Sequence, residues 1–268
     1  MSRIDGVQSN AANGKMNRRA FTLIELLIVV AIIALLVSIM LPSLGSAKEL
    51  ARGTTCLTSV RLLQFANECY ADDNAESYAP GAANFLENRN RWFGSRSGGT
   101  GLFVAEDGPL SDYLPGREVR TCPSFAEYLT GFEAGCGGYG YNNSFVGQQR
   151  DKPGYALASD LSGNLRARFA KPAETIAFTD AAMVMGGLIE YSFCESPQWP
   201  VYGTDTRPSI HFRHASRTNV AWLDGRVTSE TLDFSNEVLT GQYGYDGSPI
   251  AYNVGWFGPN TNELFDCE

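Results

Sequence analysis

The sequence predicts an α+β protein, with one long N-terminal helix laid on an antiparallel β-sheet head. Three observations predict it. Residues 21–41 form an apolar run broken by one ionisable group, Glu25, and closed by Pro42. From Leu44 to Tyr70 the apolar residues fall along one helical stripe. Beyond residue 75 the chain divides into short β-rich runs separated by Gly, Pro and Asn, and an Asp224-Gly225 pair sits between two strand-like runs.

Residues 1–20 are small and polar with no apolar period, and read as a cytoplasmic leader. Residues 21–41 are long enough to span a bilayer, which takes about 20 apolar residues in helical form. A carboxylate inside such a span is costly unless paired, so Glu25 asks for a functional reason. Pro42 lacks a backbone donor and predicts a kink or local opening. Residues 42–74 continue as the amphipathic half of the helix. Leu44, Ala47, Leu50, Ala51, Leu57, Val60, Leu63, Ala66 and Tyr70 form the stripe, and Asp72-Asp73-Asn74 ends it. Residues 75–268 are the head. Candidate strands are 118–122, 138–145, 175–179, 188–193, 209–214, 219–223 and 226–232, with a polar turn at 216–218. Residues 81–110, rich in Gly, Asn and Arg, read as a long surface loop. The aromatic tail Tyr243, Tyr245, Tyr252, Trp256 and Phe257 reads as part of the head's own core or as a contact surface.

The chain of 268 residues carries a net charge of −8. Removing the four basic residues and one acid of 1–20 leaves 17 basic and 28 acidic side chains, or −11. So acidic a body excludes a phosphate-binding surface as the main role, and no nucleic-acid partner is expected. Lys15, Arg18 and Arg19 precede the apolar run, while Lys48 and Arg52 follow it with Glu49 between them. The bias places the N-terminus in the cytoplasm and the head outside it.

Six cysteines suit an oxidising compartment. Cys56 and Cys69 on one helix would stand roughly 20 Å apart, too far to bond. Cys122 and Cys136 flank a short Gly-rich loop and make a plausible pair, and Cys194 with Cys267 would tie down the tail. No CxxC pair is present, so no metal and no cofactor is expected. His211 and His214 form an HxxH, but on a strand an odd spacing sends them to opposite faces. No Ser or Cys stands in a nucleophile motif, so the expected reading is not an enzyme. On that reading His214 bonds loop backbone and Asp224 shapes a turn with Gly225. Asp246-Gly247 and Asp266 give oxygen-rich loops without a calcium-loop pattern.

Arg18-Arg19-Ala20 followed by Phe21-Thr22-Leu23-Ile24-Glu25 resembles the class III signal of type IV prepilins and type II secretion pseudopilins. The resemblance implies cleavage between Ala20 and Phe21 by a prepilin peptidase, and N-methylation of Phe21. It also implies a pairing of Glu25 with the α-amino group of Phe21 on a neighbouring subunit in the inner membrane, and a pilin-like fold. The residue before the cut is usually Gly, and Ala20 is the next smallest. Two rival readings stay open: an uncleaved signal anchor, and a secretory signal cut near Gly45-Ser46-Ala47.

Parts of the head are similar to a planctomycete-type subgroup of prepilin-like proteins with an H-X9-DG signature. His214, nine residues and Asp224-Gly225 match it, within Arg213-His214 and Asn219-Val220-Ala221-Trp222-Leu223. Thr121-Cys122-Pro123, Gly138-Tyr139-Gly140-Tyr141-Asn142 and Pro172-Ala173-Glu174-Thr175 running to Asp180 look similar as well. Arg226 stands where that subgroup often has His. The Cys56–Tyr70 segment follows its Cys-x-x-Asn-Leu-x-Gln pattern only loosely, with Ser59 for Asn. The resemblances imply a structural pilin or pseudopilin subunit with homo- or hetero-pilin partners. The rival function is an anchored extracytoplasmic binding module or minor tip subunit.

Overall fold

The computed structural model describes residues 21–148, 161–200, 204–235 and 248–267. Helix α1 (Leu23–Asp73) is followed by short strands: β1 (Asn90–Arg91), β2 (Gly94–Ser95), β3 (Tyr139–Tyr141), β4 (Ile176–Asp180), β5 (Met183–Val184), β6 (Leu188–Ile189), β7 (Ile210–His211), β8 (Arg217–Trp222), β9 (Val227–Thr231) and β10 (Val254–Gly255). The architecture is α+β: a long apolar N-terminal helix and antiparallel sheets. The chain forms two compact units, one ending at Ser46 and the other beginning at Ala47.

In the first unit the helix starts on a reciprocal cap. The Thr22 hydroxyl oxygen accepts the Glu25 N–H at 3.3 Å, and Glu25 Oε2 accepts the Thr22 N–H at 2.9 Å. This is a capping box, and it satisfies donors that a helix N-terminus otherwise leaves open. The helix continues through Pro42. Nearby hydroxyls bond helix carbonyls there, Ser43 Oγ to Met40 O at 2.9 Å and Ser46 Oγ to Pro42 O at 3.5 Å. The large apolar side chains from Leu23 to Leu41 are exposed.

The second unit is built on a four-stranded antiparallel sheet in the order β3-β4-β8-β9. Cys56, Ser59, Val60, Leu63, Gln64, Ala66, Asn67 and Ala71 of α1 are buried. Val60, Leu63 and Ala66 were expected in the stripe; Leu44 and Leu50 are instead exposed. Gln64 and Asn67 are buried because each finds partners. Gln64 Nε2 donates to Leu223 O at 3.1 Å, and Asn67 Oδ1 accepts the Ala79 N–H at 3.0 Å.

The sheet separates two cores. Tyr139, Tyr141, Phe178 and Ala221 pack with α1 and with Trp92 and Phe93. Ile176, Val220 and Trp222 pack with Ile210, Phe212, Trp256, Phe257 and Phe265. Val220, Ala221 and Trp222 alternate between these cores, as strand pleating requires. Ile176 and Phe178 are two residues apart yet belong to different cores. The register with β8 slips between them, and such a bulge switches the face.

Several expectations fail for identifiable reasons. Residues 118–122 form no strand: they lie between 3-10 turns at Pro115–Arg117 and Ala126–Tyr128, and Cys122 N–H bonds Gly137 O. Of the candidate strand at 209–214 only Ile210–His211 is extended in a ladder, and it pairs with β10. Residues 81–110 are no surface loop throughout. Trp92 is fully buried and its Nε1–H donates to Ser192 O at 2.7 Å. Beside it Arg91 is sealed in against Glu133 at 2.7 Å, and Ser192 Oγ donates to the same carboxylate. The Asp224-Gly225 hairpin forms: β8 and β9 pair from Ala221↔Val227 to Arg217↔Thr231, with Gly225 at φ +83°. Trp256 and Phe257 of the tail are buried in the head, while Tyr243, Tyr245 and Asp246-Gly247 lie outside the described residues.

Candidate functional site

Two places concentrate chemistry: the N-terminus of α1, and a buried polar cluster where α1 meets the sheet within the second unit.

At the first, Phe21 and Glu25 are both exposed, and Ala20 lies outside the described residues. Glu25 Oε2 takes both the Thr22 N–H and the Thr22 hydroxyl, the latter at 2.8 Å. The sequence reading gave Glu25 an intersubunit role and missed this local one, although Thr-x-x-Glu before an apolar run is its signature.

The second place is assembled from four parts of the chain. Asp180 ends β4, on the α1 side of the bulge with Phe178, and is fully buried. A buried carboxylate must be paired and hydrogen-bonded. Asp180 Oδ1 meets Arg213 Nη2 at 3.1 Å, and Oδ2 accepts the Asn219 N–H of β8 at 2.8 Å. Arg213 also donates to Gly138 O and stacks over the Phe125 ring at 4.4 Å. His214 Nε2 stands 3.5 Å from Asp180 Oδ2 and 3.7 Å from Cys122 Sγ. Its Nδ1 lies 3.4 Å from Glu49 Oε1 on α1. Cys56 of α1 completes the group, its Sγ 2.8 Å from that of Cys122.

A tight turn aims His214 into this cluster. His214 and Arg217 exchange backbone bonds of 2.9 and 3.1 Å around Ala215 and Ser216, whose φ values are +52° and +62°. Two positive φ values between such bonds are the arrangement of a type I′ turn, here without the Asn or Gly it favours. The expected bond from His214 to loop backbone is made by its main chain; its ring faces side chains instead.

The electrostatics follow from the packing. Cys122 is held down to about 5 by the hydrogen bond from the Cys56 thiol, with Arg213 and His214 adding to it against burial. Cys56 is pushed up by the same bond and by burial. Burial opposes the charge on His214, but Asp180 and Cys122 raise it to about 10. Burial, then Arg213, lowers His211 to about 3. Arg213, His214 and the Asn219 N–H keep Asp180 below its ordinary value although burial works against them.

The donor atoms of Cys56, Cys122, Asp180 and His214 lie within 4.8 Å of one another and form a set that could hold a metal ion. His211 stands apart from it, against Phe125, with its Nδ1 3.1 Å from Arg213. His214 and Asp224 do not meet. They stand at opposite ends of β8, so the nine-residue spacing spans that strand and its two turns. Asp224 Oδ1 accepts the Arg226 N–H at 2.9 Å across the second turn.

The sulfur facing that of Cys122 is Cys56's, whereas the sequence suggests Cys136 as its partner. The Cys136 sulfur is directed at Glu190 Oε1, 3.7 Å away. Cys194 belongs to one core and Cys267 packs against the other. Glu49, Cys56, Asp180 and Arg213 escaped the sequence reading as one site, because only the fold brings them together.

Residues 15–41 match the model of the prokaryotic N-terminal methylation motif. No curated protein and no solved structure matches the chain. Among the described residues, α1 is long and apolar enough to cross a membrane. The N-terminal segment therefore carries a prepilin-type signal, which supports a pilin- or pseudopilin-type precursor.

Proposed function

We propose that the chain is a structural, non-enzymatic subunit that polymerises into a type IV pilus or type II secretion pseudopilus. It is made as an inner-membrane precursor with the head outside the cytoplasm. Prepilin peptidase cuts it between Ala20 and Phe21 and methylates Phe21. The observation that carries this reading is the methylation motif over residues 15–41, on a helix whose apolar side chains are exposed on the isolated chain. Such a surface needs lipid before assembly and other subunits after it.

Glu25 then has two duties in turn. Within one chain it caps its own helix through Oε2. In the filament it meets the methylated α-amino group of a neighbouring Phe21. A pair of this kind stabilises little by itself and sets register. Glu25→Ala is expected to leave membrane insertion intact and to abolish filaments, read by shearing and electron microscopy; wild-type filament yield would sink the proposal. The N-terminus of membrane-extracted protein tests the processing step. A start at N-methylated Phe21 is expected. An intact leader would leave a static anchor, and a start near Lys48 a conventionally secreted head.

A further inference from the structure

We propose that Cys56 and Cys122 form a disulfide that staples the second half of α1 to the head. The proposal rests on the reading above in one respect, the exported head, because disulfides persist outside the cytoplasm.

The geometry points to a bond. Both residues are fully buried, and their sulfurs approach to 2.8 Å. Unbonded heavy atoms settle about 3.5–4.0 Å apart. Two thiolates on a tetrahedral zinc would stand about 3.8 Å apart, given Zn–S bonds of about 2.3 Å. The pair is thus closer than either a plain contact or a zinc centre requires. The rest of the cluster agrees. Asp180 has its oxygens engaged by Arg213 and Asn219, so it is already compensated without a metal. His214 lies between Asp180 and Glu49, and a disulfide beside it leaves no buried thiolate to neutralise.

The staple also falls where the fold needs one. Between β2 and β3 the described chain has 3-10 turns, loops and one isolated bridge, Ser95↔Val104, but no strand of its own. Cys122 sits in the middle of that stretch, and a link to α1 holds it on the core. The chemistry is a thiol–disulfide exchange with a dithiol oxidase of the export compartment. The Cys122 thiolate attacks the oxidase disulfide, forming a mixed disulfide and releasing one oxidase thiolate, which takes up a proton. The Cys56 thiol then gives up its proton and displaces the second oxidase sulfur. One disulfide forms here, one is reduced to a dithiol in the oxidase, and no electrons are left over.

The test uses the full chain extracted from membranes, with thiols blocked by an alkylating reagent at harvest and peptides mapped without reduction. The expected result is a joined Cys56–Cys122 peptide two hydrogens lighter than its parts, with the other four cysteines alkylated. Cys136→Ser should leave the link in place. A Cys122–Cys136 peptide overturns the proposal. So does stoichiometric zinc released from native protein whose Cys56 and Cys122 are both alkylated. A pair found reduced in cells is then placed, as purified full chain, in a glutathione redox buffer. Closure there supports the pairing and counts against the exported head; failure to close overturns the pairing itself.

Discussion

His211 and His214 flank Arg213, yet their surroundings move their proton affinities in opposite directions. His211 is sealed against Phe125 and next to Arg213, which lowers it to about 3, whereas Asp180 and Cys122 raise His214 to about 10. An unperturbed histidine titrates near about 6.5. Between about pH 3 and 6.5 the unfolded chain binds a proton that folded His211 refuses, so stability falls as pH drops through that window. Folded His214 keeps its proton between about 6.5 and 10, so its contribution is complete below 6.5 and is lost as pH rises through about 10. With Cys122 oxidised that upper limit moves down, but Asp180 and Glu49 preserve the direction. Urea midpoints in detergent should therefore be highest near neutrality and fall on both sides. His211→Phe should flatten the acid limb and His214→Gln the alkaline limb. Interchanged effects would refute the assignment. Neither shift was legible in HxxH, because spacing tells where side chains point and not what faces them.

At the scale of elements, the two turns around β8 make a contrast. Asp224-Gly225 was readable because Gly supplies the positive φ and Asp the capping oxygen. The turn that carries His214 is legible only as a polar turn at 216–218; its centre is Ala215 and Ser216, at φ +52° and +62°, and neither is the Asn or Gly that would announce positive φ. Each such residue costs about 1–2 kcal/mol. Replacing the pair by Asn-Gly is expected to raise stability by about 1 kcal/mol, after the added unfolded-state entropy of Gly. A loss of stability in the same denaturation experiment would mean that the turn is not the one described. Other elements were hidden for different reasons. Trp92 and Phe93 sit among Gly, Asn and Arg with no periodicity, so their burial had no pattern to announce it. Cys56 and Cys122 are 66 residues apart in sequence, and only the packing of α1 on the sheet joins them. Closing a loop of that length gives the staple its leverage: reduction should lower stability by about 4 kcal/mol, a difference lost in Cys56→Ser.

At the scale of the whole molecule, the chain divides its apolar surface between two environments. The unit beginning at Ala47 buries its large side chains in two cores, one on each side of its sheet. The unit ending at Ser46 leaves Leu23, Ile24, Leu35, Ile39 and Met40 more than half exposed. This division was legible in sequence, since an apolar run of bilayer length followed by an amphipathic stripe has few other solutions. The details of the head were not, because its strands run two to six residues and take their places from long-range pairing. If the surfaces are independent, the two units should separate experimentally. A chain beginning at Ala47 should stay in the aqueous phase on detergent phase separation and unfold in one cooperative transition. A chain beginning at Phe21 should partition into detergent, with an unfolding midpoint for the head within error of the shorter one. Partitioning of the shorter chain into detergent would show that the head hides a membrane-binding face of its own. A broad, non-cooperative transition would show that it needs residues 21–46 to fold. Either result would break the proposed division of labour, in which the first unit provides the assembly surface and the second a self-sufficient head.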